Sequence, residues 1–108
     1  MLFREILRPS VVVFDEDAPS ADRVSRLLLP IADVILAYHF DEAVAACEAS
    51  PEVLLVCPAG HAERARASLP TVKLVTHSAA TELAADGQRL HVPGVRELAA
   101  AVTRLFRY

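Results

Sequence analysis

Tryptophan is absent from this chain, and only three glycines, two cysteines and one lysine (Lys73) occur in its 108 residues. Each scarcity excludes something. With three glycines there is no G-x-G-x-x-G turn, and Pro58-Ala59-Gly60 has neither the lysine nor the glycine spacing of a P-loop. Two cysteines cannot build a disulfide framework, and they fall in different predicted elements, so no disulfide is expected. There is no excess of basic charge: the formal net charge is -3, which argues against a nucleic-acid surface. No apolar run approaches the ~20 residues needed to cross a bilayer. The N-terminal stretch is interrupted by Arg4, Glu5 and Arg8, so it does not read as a signal peptide. The expected compartment is therefore the cytoplasm, with no membrane partner.

What is present is a core. The chain is 54% hydrophobic and 23% charged, a composition that excludes a disordered tail or linker. One domain of this length buries roughly two-thirds of the surface that its unfolded chain exposes. Residues 1–10 read as an N-terminal extension and 11–108 as the domain. Phe3, Ile6 and Leu7 have the spacing expected of one apolar face of a short turn, suited to packing on the domain or to a partner or dimer contact.

Val11-Val12-Val13-Phe14 is an unbroken apolar run ending in Asp15-Glu16-Asp17, as expected of a strand buried on both faces. Ser20 is expected to cap a helix carrying Val24, Leu27 and Leu28, and Pro30 stops it. Val34–Tyr38 predicts a second strand. Asp41 is expected to cap a second helix over Glu42–Ala49. Val53–Cys57 predicts a third strand, His61–Leu69 a short helix and Val72–Thr76 a fourth strand. Thr81–Ala85 predicts a weak helix, Arg89–Val92 a fifth strand and Val95–Arg107 a last amphipathic helix. Alternating strands and helices predict an α/β fold with a parallel sheet covered on both faces. In such sheets the functional crevice lies beyond the C-terminal strand ends.

With these elements in place, the chain resembles a response-regulator receiver domain, the flavodoxin-like module of two-component signalling. Five features carry the resemblance over residues 11–107: Val11–Asp17, with its acidic pair; Asp41-Glu42-Ala43-Val44; Pro51–Cys57; Val75-Thr76; and Val92-Pro93. It implies a five-stranded parallel sheet in the order 2-1-3-4-5. It also implies a phosphorylation pocket made of Asp15, Glu16, Cys57, Thr76 and Val92.

Two departures decide what that pocket can do. The family's phosphoacceptor aspartate is Cys57 here, and its lysine before the strand-five proline is Val92. An aspartyl phosphate needs a carboxylate nucleophile and Mg²⁺, a hard cation held by oxygen ligands. A thiol is a poor ligand for that ion. The resemblance therefore implies a degenerate receiver, a pseudo-receiver that recognises another protein in bacterial signalling or regulation without phosphorylation. It is expected to have no catalytic residue and no cofactor.

Cys57 is a metal ligand, a redox-sensitive thiol or a small apolar filler. Cys57, His61 and His77 have the residue types of a zinc site, though no paired ligand motif accompanies them, and together they define an alternative small-ligand, metal or redox sensor. A true receiver with an atypical acceptor such as Asp17 is a further alternative. For partner binding, or a homodimer through the last helix, the candidates are Arg96, Arg104, Leu105, Phe106, Arg107 and Tyr108.

Overall fold

The β-branched run after Pro9 forms the central strand β1 (Ser10–Phe14), whose four apolar residues are all buried. In a computed structural model of the chain, residues 8–50, 52–77 and 98–106 are described in full, and 78 and 89–93 by their backbone. After β1 come α1 (Ala18–Leu28), β2 (Asp33–Ala37), α2 (Phe40–Ala49) and β3 (Leu54–Pro58). A single 3-10 turn (Ala59–His61) leads into α3 (Ala62–Ser68), which is followed by β4 (Lys73–Ser78), β5 (Arg89–Pro93) and α4 (Leu98–Phe106).

The fold is α/β with an all-parallel sheet. β1 lies between β2 and β3, with Val12 opposite both Ile35 and Leu55, and β3 pairs with β4, giving the order β2-β1-β3-β4. β5 pairs with the outer side of β4, Leu74 opposite Arg89 and Thr76 opposite His91. Strand alternation sends Val11, Val13, Leu54, Val56 and Val75 to one face, where α1 and α4 cover them. Val12, Phe14, Leu55, Cys57 and Leu74 go to the other, under α2 and α3. Each fully buried Val or Leu contributes about 1.5–3 kcal/mol, so these two clusters dominate the favourable side of folding. Among the described residues, no helix is long and apolar enough to cross a membrane.

The helix starts differ from the sequence expectations. Asp17, not Ser20, caps α1: its Oδ2 accepts the Ser20 amide at 3.1 Å, and Pro19 sits in the first turn, where no amide is needed. α2 begins at Phe40 after His39, and no side chain caps it, so Asp41 lies inside the first turn. Packing decides this start, because the Phe40 ring stands edge-on to Phe14 at 5.7 Å. α3 starts at Ala62, since the backbone from Ala59 first winds as a 3-10 turn.

At the other end of the chain, β1 begins one residue before Val11, and Arg8 and Pro9 are bonded into the fold. The Pro9 carbonyl accepts the Asp33 amide. The Arg8 guanidinium donates to Asp33 Oδ1 and to the carbonyls of Leu29, Pro30 and Ala32. The helix expected over 81–85 lies outside the described residues. So do the two ends of the last helix, at 95–97 and 107.

Candidate functional site

Parallel pairing brings the predicted pocket residues to one end of the sheet. Val13 faces Val56, and the next residues on the two strands are Phe14 and Cys57; Cys57 is opposite Thr76. Cys57 and Thr76 are fully buried, and Asp15 nearly so. Asp15 Oδ1 accepts the Asp17 amide at 2.9 Å, so this carboxylate shapes the turn between β1 and α1. The Cys57 side chain lies within the apolar cluster that also holds Phe14 and Ala62. The side chain of Val92 lies outside the described set; its backbone is opposite His77.

Above Phe14 and Cys57 sits a group of side chains that the sequence does not reveal as a unit. Arg64 lies over the Phe40 ring at 4.1 Å, and His61 stands edge-on to Phe14 at 4.9 Å. Arg64 Nη2 is 3.0 Å from His61 Nδ1. A guanidinium can only donate, so Nδ1 accepts and the ring proton is on Nε2. That nitrogen is 3.6 Å from Glu16 Oε1, and Arg64 Nη2 is 3.9 Å from Glu16 Oε2. Glu16 therefore has a guanidinium and an imidazole as its neighbours. Its side chain is 60% exposed, which keeps both contacts weak. Chemically the arrangement neutralises a carboxylate and roofs the end of β1 with aromatic and cationic groups. Phe40 and Arg64 escaped the sequence reading. The only local signal is the i, i+3 spacing of His61 and Arg64.

The trio Cys57, His61 and His77 does not gather. Cys57 and Thr76 occupy the α2/α3 face, and strand alternation sends His77, one residue on, toward the other. His61 is engaged by Arg64 and Glu16 instead. Among the described residues, no three His, Cys, Asp or Glu side chains are grouped to hold a metal ion. Neither cysteine is in a disulfide, and both are buried.

On the last helix, Leu105 is fully buried in the α1/α4 core, which corrects its place among the partner-facing residues. Its carbonyl accepts a bond from Lys73 Nζ at 3.1 Å. Phe106 is half-buried against the same cluster, and Arg104 is exposed. Arg96, Arg107 and Tyr108 lie outside the described residues.

A hollow of about 260 Å³ opens at the opposite end of the sheet, between α2 and the segment leading into β4. Cys47, Glu48, Ser68, Leu69, Pro70, Thr71 and Val72 line it. Burial, with Glu48 adding to it, pushes the Cys47 thiol up to about 11. This thiol is a packing group and a poor nucleophile at neutral pH.

The chain matches no family model, and no curated protein is significantly similar to it.

Proposed function

We propose that this chain is a pseudo-receiver of flavodoxin-like fold: a cytoplasmic protein-interaction module of bacterial signalling that works without phosphorylation and without a catalytic residue. The observation that carries this reading is the end of β3. The position that the receiver resemblance assigns to a phosphoacceptor is Cys57, a thiol buried in an apolar cluster beside the buried Thr76. The neighbouring carboxylates support it. Asp15 is used in a turn, and Glu16 already has Arg64 and His61 beside it where a receiver would bring Mg²⁺. A third oxygen ligand from the β3 end is missing, and sulfur does not replace it for so hard a cation. The partner is a regulatory protein that reads the folded surface constitutively.

Intact-mass spectrometry after incubation with acetyl phosphate and Mg²⁺ tests the reading. The expected result is the unmodified polypeptide mass. A phosphoryl adduct removed by hydroxylamine, as an acyl phosphate is, would overturn it and return the chain to the true receivers.

A further inference from the structure

We infer that the hollow at Cys47 and the acidic face of α2 beside it dock a basic segment of a partner protein, one aliphatic side chain seated in the hollow and an adjacent arginine paired with Glu48. This rests on the reading of the chain as a protein-interaction module and names the chemistry of its partner. Charge is the first observation. No lysine or arginine occurs between Arg26 and Arg64. Within that stretch α2 exposes Asp41, Glu42 and Glu48. Asp41 and Glu48 are seven residues apart, so they share one helix face, ~10 Å from each other along the axis. Among the described residues, none of the three carboxylates is in an ion pair. Glu48 also stands in the last turn of α2, where the helix dipole opposes negative charge and no basic residue offsets it. The helix gains nothing from this carboxylate, whereas a basic partner does.

The hollow supplies the anchor. At about 260 Å³ it is smaller than the ~300–1,000 Å³ of sites for drug-sized ligands, and it suits a single side chain. Cys47 and Leu69 are buried and make its floor, while Glu48, Ser68, Pro70 and Thr71 are exposed and make its rim. The Cys47 thiol keeps its proton at neutral pH, so the floor carries no charge. An apolar floor inside a polar rim is the anatomy of an anchor pocket in a protein interface.

The rim then specifies the cation. Glu48 is the one formally charged side chain among the residues that line the hollow. Arg66 does not line it, but its Nη1 lies 3.4 Å from the Pro70 carbonyl and 3.5 Å from the Val72 carbonyl. The segment that forms this rim therefore already accepts a guanidinium. A planar guanidinium has donors enough for the Glu48 carboxylate and for the hydroxyls of Ser68 and Thr71 together, which a lysine ammonium serves less well.

The experiment is an NMR titration of the full chain with N-acetyl-leucyl-arginine amide. Saturable shifts are expected at residues 47–49 and 68–72. The citrulline analogue keeps the shape and loses the charge, and it is expected to bind about 3-fold more weakly, as for an exposed ion pair. Glu48→Gln is expected to erase that difference. Thr71→Trp, at an exposed rim position, fills the mouth of the hollow and is expected to abolish the shifts with native circular dichroism. A wild type without saturable shifts overturns the inference. So does equal binding of the arginine and citrulline probes, or unchanged binding by the folded Thr71→Trp variant. Tighter binding of 3-methylbutylammonium than of the dipeptide also overturns it, because the hollow would then be a site for free amines. A phosphoryl adduct on the chain would overturn the pseudo-receiver reading and leave these shifts in place, so the two failures are told apart.

Discussion

On the α1/α4 side of the sheet, every buried cluster residue is Val, Leu or Ala. On the α2/α3 side, the cluster has Phe14, Cys47 and Cys57 among smaller aliphatic residues, and the aromatic and cationic group of Phe40, His61 and Arg64 stands at its upper end. One backbone thus carries two kinds of packing. Among the described residues, the buried apolar cluster on the first side is aliphatic throughout. The second gives up bulk for small side chains, which leaves room for the thiols, the hollow at Cys47 and the residues around Glu16. The face with the smaller side chains is therefore also the face that carries the thiols and the hollow.

The sharpest test of this contrast compares one residue from each face. Leu54→Ala, on the aliphatic side, is expected to cost about 2–5 kcal/mol in urea unfolding, because a fully buried side chain leaves a cavity. Cys57→Ala, on the other side, loses one heavy atom and is expected to cost about 1–2 kcal/mol. Equal losses would mean that Cys57 is packed more tightly, per atom removed, than Leu54.

Arg64→Ala should be milder. It removes a half-exposed guanidinium from the Phe40 ring and from Glu16, and about 0.5–1 kcal/mol is expected. The readout that separates this from a general surface effect is Phe40→Leu, which should remove most of the same energy and make the two losses non-additive.

A further effect is expected at alkaline pH. Burial raises the Cys47 thiol from an ordinary value of 9.0 to about 11, so the folded state holds this proton more tightly than the unfolded one. The associated stability is complete below the unfolded value and is lost as pH rises from 9.0 toward about 11. The Tyr38 hydroxyl is raised too, first by its bond to Asp22 and then by burial, and acts in the same direction. Urea midpoints at alkaline pH should therefore fall in the wild type and fall less in Cys47→Ala. An unchanged pH slope in that variant would place the loss at other groups.

Much of the fold can be read from the sequence because of how a parallel sheet is buried. Val11–Phe14 and Val53–Cys57 are continuous apolar runs, and that pattern belongs to strands covered on both faces. Val34–Tyr38 has the same pattern but forms an edge, where Ile35 and Leu36 remain exposed. Apolar runs identify strands and do not rank them by position in the sheet. The helix starts were displaced because caps depend on single hydrogen bonds, as at Asp17, or on distant packing, as at Phe40. The candidate site was legible in part. Cys57 and Thr76 are adjacent as the strand order requires, whereas the Glu16–His61–Arg64 group is assembled from the β1–α1 loop, the 3-10 turn and α3, and the ring beneath Arg64 comes from α2. His77 was misplaced because alternation separates neighbours on one strand to opposite faces.

The contacts of Arg8 have a kinetic consequence. They close a loop from the start of β1 across α1 to the start of β2, all within the first third of the chain. Such a strand–helix–strand segment reaches its native contacts at a low entropic cost, because the chain it must close is short. Bonds from β1 to β3, by contrast, wait for a longer search. The guanidinium also caps carbonyls at and just beyond the end of α1, so it holds the first crossover in shape while the rest of the sheet is added. Arg8 is therefore placed to act as an early clasp: its removal should slow refolding more than it speeds unfolding.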